Sequence, residues 1–232
     1  LQSVSFVIPS ITVSANVELK NIYSRAANVI GKIVSRNHKY RDEYIVIGAH
    51  FDHLGYGGPG SGSLKPDTTA IHNGANDNAS GTSGLLELAH KLQSKRQLLK
   101  RSVLLIGFDA EEKGLLGSKY FVAHPTVEKN NIVTMINMDM IGKMKDSTAM
   151  IGGVGTSPKF EPLLDSLSKI SKLKFEYDKA GYGPSDHASF YSENIPVLFF
   201  FTGDFSNHYH LPEDDWQGIN ASGERQILDI IY

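Results

Sequence analysis

Cysteine is absent from the 232 residues, which excludes disulfide frameworks, thiolate metal sites and cysteine nucleophiles. Any bound metal must therefore be held by His, Asp and Glu. No apolar run approaches the roughly 18 residues of a membrane span, and the longest, such as Val197–Phe201, have strand length. An excess of either charge is missing as well. Lys and Arg number 23 against 25 Asp and Glu, a net charge of −2, with an isoelectric point near 6.5. Neither a basic nucleic-acid footprint nor a polybasic membrane patch is present. Leu1–Lys20 lacks the basic start and apolar centre of a signal peptide, and no repeat or low-complexity tract occurs. The chain starts without Met, and its last helical pattern, Ser222–Ile230, reaches Tyr232 without a cap. Both features fit a processed or trimmed chain.

With 41% hydrophobic and 21% charged residues, the chain can bury one sizeable core but not two. Apolar runs at Tyr44–Ala49, Val103–Phe108, Ile132–Met138 and Pro196–Phe201 read as buried strands, and Asn28–Ser35 as a further one. Helical spacing links Leu85, Leu88, Ala89 and Leu92, and again Phe160, Leu164, Leu167 and Ile170. The alternation predicts an α/β fold, a mostly parallel (mixed) central sheet with helices on both faces. Gly55–Gly74, rich in Gly, Ser and Pro, reads as loop. Residues 1–20, strand-like but different in character, read as an appendage to a domain spanning 21–232.

Polar residues gather where the strands end. His50-Phe51-Asp52-His53 follows Tyr44–Ala49, Asp109-Ala110-Glu111-Glu112 follows Val103–Phe108, and Asp139 follows Ile132–Met138. Ligands bind outside the carboxyl ends of strands in such sheets, so these clusters are expected at one rim. Asn76-Asp77-Asn78 precedes the first helix, and His208-Tyr209-His210 follows the last strand. Taken singly, each reads as a cap, a turn or a solvated patch. Together, the carboxylates would repel unless cations neutralise them. A sulfur-free His and carboxylate set suits zinc, with Mn2+ or Co2+ as substitutes.

The ordered series His50-x-Asp52, Gly74–Gly81, Glu111-Glu112, Asn137–Gly142, Ser185-Asp186-His187 and Tyr209-His210-x-Pro212-Glu213-Asp214 resembles the di-zinc aminopeptidase family. That family includes secreted bacterial leucyl-type aminopeptidases and glutamate carboxypeptidase II relatives. The resemblance runs from about Asn28 to the end. It implies that Asp77 bridges two zinc ions, with His50 and Asp139 completing one site and Glu112 and His210 the other. It further implies Glu111 as general base, Asp52 as the residue orienting His50, and a cis peptide at Asp77–Asn78. In some relatives a tyrosine at the position of Tyr209 stabilises the oxyanion, whereas a tyrosine packed at a loop edge is the plain alternative. A peptide substrate and an extracytoplasmic location follow from the resemblance alone, and residues 1–20 become the trailing edge of a protease-associated domain. Ser185-Asp186-His187 reads as a loop shaping the substrate pocket rather than a triad, because adjacent residues rarely converge on one atom. His53, His72, His90, His124 and His208 match no ligand position and read as structural or surface residues.

Two other readings compete. Glutaminyl cyclases share the fold and use a single zinc for acyl transfer, and transferrin receptor relatives have lost their ligands and only bind partners. The complete ligand set with Glu111 favours hydrolysis, leaving side-chain preference and oligomeric state open.

Overall fold

The structure, a computed structural model, describes residues 9–19, 24–203 and 208–232. Its centre is a seven-stranded sheet in the order β1-β3-β2-β4-β7-β5-β6. The strands are β1 (Val29–Ile33), β2 (Tyr44–His50), β3 (Ser102–Phe108), β4 (Ile132–Met138), β5 (Thr148–Gly152), β6 (Lys174–Tyr177) and β7 (Val197–Phe201). β3, β2, β4 and β7 run parallel side by side. β1 pairs antiparallel with β3, and β5 antiparallel with β7. The sheet is thus mixed around a parallel centre.

Among the described residues five α-helices cover it: α1 (Gly81–Ser94), α2 (Leu116–Ala123), α3 (Phe160–Ser171), α4 (His187–Tyr191) and α5 (Ala221–Ile231). Alternation along the strands divides the core in two, as a period of two residues dictates. Ile47 and Ala49 of β2 join Val103 and Leu105 of β3 on one face, packed against Leu85, Leu88 and Leu92 of α1, Leu164 of α3 and Ile227 of α5. Tyr44, Val46, Leu104, Ile106 and Phe108 face the other way, onto Phe121 and Val122 of α2 and Phe190 of α4. Each such side chain contributes about 1.5–3 kcal/mol when fully buried.

β5, β6, α2 and α4 were not foreseen from the sequence. Ser185-Asp186-His187, read as loop, leads directly into α4, whose first residue is His187. The strand-like pattern of residues 1–20 forms no strand over residues 9–19, while residues 1–8 and Lys20 lie outside the described set. No helix among the described residues is long and apolar enough to cross a membrane.

The parallel centre positions the chemistry. Neighbouring strands are about 4.8 Å apart, so the carboxyl ends of β3, β2 and β4 deliver Glu111 and Glu112, His50 and Asp139 to one rim.

Candidate metal centre

Asp77 enters this rim from an irregular turn, Ala75–Ser80, wedged between the loop after β2 and α1. The Asp77–Asn78 peptide is cis. Side chains of the same segment lock its path. Asn78 Oδ1 accepts from Gly81 N at 2.9 Å and Met140 N at 3.2 Å, while Asn78 Nδ2 donates to the Met138 carbonyl at 3.0 Å. Asn76 Oδ1 accepts from Gly142 N at 2.9 Å, and Ser80 Oγ accepts from Ile141 N at 3.1 Å. The Asn-Asp-Asn-Ala-Ser run therefore grips the loop after β4, rather than serving as the simple helix cap a turn reading suggests. Gly74 must be glycine twice over. Its φ is 60°, and a Cβ there would lie 2.8 Å from the His53 ring.

Asp214, quoted in the sequence motif without a role, anchors the turn from the far side. Its Oδ2 accepts from the backbone N–H of Asn76 at 2.8 Å and of Asp77 at 3.0 Å. Its Oδ1 receives Lys143 Nζ at 2.7 Å in a buried ion pair.

Asp77 directs its two oxygens to two separate sets of donors. On one side, His50 Nε2 lies 3.4 Å from Asp77 Oδ1 and 3.4 Å from Asp139 Oδ1. On the other, His210 Nε2 lies 3.3 Å from Asp77 Oδ2 and 3.1 Å from Glu112 Oε2. Donors about 2.0–2.1 Å from a tetrahedral zinc stand about 3.3 Å from one another, so both sets have the spacing of a metal shell. Asp139 Oδ1 is buried and has no hydrogen-bond partner, another mark of a site built for a cation.

Both histidines are held with Nε2 facing inward, because the other nitrogen is engaged, as metal-binding imidazoles require. His50 Nδ1 lies 3.1 Å from the Asp52 carbonyl oxygen, and His210 Nδ1 lies 3.0 Å from that of Gly62. The second contact shows what the Gly55–Gly74 loop does: it wraps the His210 segment, and Leu64 N also donates to the His210 carbonyl at 3.1 Å. Asp52 lies at His50 Nδ1, where it was expected, and has a second task. Its carboxylate stands 3.6 Å from His50 Nδ1 and accepts the backbone N–H of Glu111 at 3.0 Å and of Glu112 at 3.2 Å. It orients His50 chiefly through its carbonyl, and the Glu111-Glu112 turn through its carboxylate.

His53, read from the sequence as matching no ligand position, nonetheless lies at the rim, with Nδ1 2.7 Å from Glu112 Oε1 and its ring grouped with Asp77 and Glu112. Its spacing of three from His50 was the available signal. His72 is buried and bonded to Ser63, in keeping with a structural role.

The cluster opens into a cavity of about 180 Å³ lined by Asp77, Glu111, Asp139, Met140, Tyr209 and His210. It adjoins a second, about 230 Å³, and both share Pro184, Phe199 and Phe201. Of the Ser185-Asp186-His187 segment expected to shape the pocket, His187 lines the second cavity, beside Tyr182 and Gly183. Tyr209 stacks on the His210 ring with centroids 3.8 Å apart. Burial, then the surrounding carboxylates, raise its phenol above the ordinary range, so it keeps its proton. A larger cavity of about 450 Å³ lies beside β1 and α2, away from the metal-type donors.

Without cations the rim is electrostatically uneven. Burial, reinforced by Asp139, Asp186 and Glu112, pushes Glu111 up to about 9. Burial likewise pushes Asp186 up to about 7. Burial would lower His210, but hydrogen bonds to Asp77 and Glu112 outweigh it and raise the imidazole to about 10. Groups raised on folding hold protons that the unfolded chain has already lost, so their stabilisation fades as pH rises toward the folded value. The depressed groups, Asp52, Asp77 and Glu112, act in the acid range. His187, lowered to about 4 by burial, acts below about pH 6.5. The melting midpoint of metal-free protein should therefore fall between about pH 6.5 and pH 9. Thermal melts across that interval check this, and a midpoint that is flat or rises would contradict the assigned environments.

Similar proteins include aminopeptidases. Aminopeptidase YwaD of Bacillus subtilis is 29% identical over 227 residues, covering 94% of this chain and 46% of that protein. Leupeptin-inactivating enzyme 1 of Streptomyces exfoliatus is 34% identical over 139 residues, covering 59% of this chain and 31% of that protein. The chain thus spans less than half the length of these two relatives. Among solved structures, a zinc aminopeptidase from Bacillus subtilis superposes with a TM-score of 0.71 at 29% identity, covering 88% of this chain and 48% of that one. A glutaminyl cyclase from Bacteroides thetaiotaomicron shares the fold, with a TM-score of 0.70 at 20% identity, 89% of this chain and 75% of that one. Over residues 28–232 the sequence carries the pattern of one family throughout, and the chain belongs to peptidase family M28.

Proposed function

We propose that the chain is the catalytic unit of an aminopeptidase that removes N-terminal residues from peptides with two zinc ions. The carrying observation is the division of Asp77, one oxygen toward His50 and Asp139, the other toward His210 and Glu112. In this reading Asp77, His50 and Asp139 would hold one ion, and Asp77, Glu112 and His210 the other. Bound there, zinc would supply Lewis acidity for a water and the scissile carbonyl, and its charge would favour the ionised form of Glu111.

The remaining work belongs to the protein. Glu111 Oε2, 4.0 Å from His50 Nε2 at the cavity wall, takes the proton of the attacking water and passes it to the leaving amine. Tyr209, protonated and lining the same cavity, is placed to donate to the developing oxyanion. Phe199, Phe201 and Pro184 line the adjoining space and exclude water from an apolar N-terminal side chain. Names of the relatives, aminopeptidase and zinc aminopeptidase, support this activity. The family match beginning at residue 28 supports a catalytic domain over 21–232 with residues 1–20 as an appendage. An extracytoplasmic location rests on family resemblance.

The cyclase fold of one neighbour makes single-zinc acyl transfer the reading to test against. A panel of aminoacyl fluorogenic substrates, free and N-acetylated, with and without zinc, together with a glutaminyl peptide, separates the two. Zinc-dependent release from the free amines only is expected. Cyclisation of the glutaminyl peptide without release from any other substrate would overturn the proposal.

A further inference from the structure

Glu112 divides its two oxygens as Asp77 does. Oε2 lies 3.1 Å from His210 Nε2, and Oε1 lies 2.7 Å from His53 Nδ1. The two distances mean different things. Donors sharing one zinc stand about 3.3 Å apart, and the other pairs of this rim lie at 3.1–3.4 Å. A separation of 2.7 Å is that of a charge-assisted hydrogen bond. His53 Nδ1 is also 4.0 Å from Asp77 Oδ2, outside the spacing that the other donors keep.

The ring of His53 is fixed from several sides. Gly74 backs it so closely that a Cβ would lie 2.8 Å from Cγ. The His210 ring meets it edge-on with centroids 5.8 Å apart, and His72 is tilted against it at 6.4 Å. Nε2 is buried without a hydrogen-bond partner. An ionised carboxylate only accepts, so the proton sits on Nδ1, and a bare acceptor at Nε2 suits an apolar surrounding better than an unpaired N–H.

We propose that His53 is a positioning residue for the second metal site: it donates Nδ1–H to Glu112 Oε1 and so turns Oε2 toward the cation shared with His210 and Asp77. This inference rests on the two-metal reading above. Oε1 is thereby engaged while Oε2 stays directed at His210. Removing an outer partner of a ligand typically costs 10–100-fold in metal affinity.

The test uses metal-free wild type, His53→Phe and His53→Asn, the last because its amide nitrogen falls where Nδ1 does. Each is titrated with Zn2+ against a competing chelator, and the Co2+ absorption spectrum is recorded at saturation. Melts of the metal-free proteins confirm folding. His53→Phe should weaken one of two ions by about 10–100-fold and leave the other unchanged, His53→Asn should recover most of the loss, and all three cobalt spectra should agree. Unchanged affinities in His53→Phe, or an equal loss in His53→Asn, would reduce His53 to packing and overturn the proposal. A cobalt spectrum altered in both variants would make it a ligand, overturning it also. Failure of wild type to bind a second ion would instead strike the two-metal reading itself.

Discussion

Glu111→Gln should keep its metals and lose turnover by about 10²–10⁴-fold, the contribution of a positioned proton carrier. The amide has the size and shape of the carboxylate, so the turn held by the Asp52 carboxylate through the N–H groups of Glu111 and Glu112 is untouched. What disappears is the capacity to take a proton. Glu111 sits beside the His50 and Asp139 donors, yet its nearest ring nitrogen is 4.0 Å away, too far to share a cation's inner shell. Because the side chain acts on the reacting water and not on the bound peptide, kcat should fall while KM changes little. Steady-state kinetics with metal analysis of the same sample decides the matter. Near wild-type turnover would remove Glu111 from the mechanism, and loss of bound metal would make it a ligand instead.

How much of this was readable in advance depends on which force shaped each element. The central strands announce themselves because burial on both faces demands unbroken Val, Ile, Leu and Phe. α1 and α3 do so because their apolar residues recur at helical spacing. β5 and β6 carry a different signal. Lys174 and Glu176 are exposed on a four-residue edge strand, and Met150 of β5 is 40% exposed, so pairing with β7 and with each other, rather than composition, makes them strands. α2 starts after Leu115, whose φ of 62° belongs to a tertiary turn that no cap residue marks. At the site, the His and carboxylate residues that meet at the rim and their order were legible, but supporting bonds between distant segments were not. The Asp214 carboxylate meets Asp77 N across 137 positions, and His53 meets Glu112 across 59. Neither spacing has a periodicity to betray it. Asp52 was legible as a neighbour of His50 Nδ1, but its hold on the Glu111-Glu112 turn was not, because a bond to backbone N–H groups leaves no mark in a sequence.

Metal removal should destabilise the fold as well as stop the reaction. Asp77, Asp139 and Glu112 are drawn to one rim with Asp77 largely buried, and without cations it falls to His50, His53 and His210 to offset them. A ligand that binds only the folded state stabilises it by RT ln(1 + [L]/Kd), about 4 kcal/mol at a thousandfold excess. For a chain of this size that corresponds to roughly 8–16 °C in melting midpoint. Asp77→Asn should lose stabilisation from both ions, since one side chain faces both donor sets, whereas Asp139→Asn or Glu112→Gln should each affect one. The measurement that bears most directly on the shared Asp77 is a calorimetric zinc titration of metal-free wild type and Asp77→Asn, followed by melts of the same samples. Two ions per wild-type chain, a midpoint raised by zinc, and both affinities weakened in Asp77→Asn are the predicted results. One ion per wild-type chain, with Asp77→Asn binding it as tightly and melting no differently, would contradict the account.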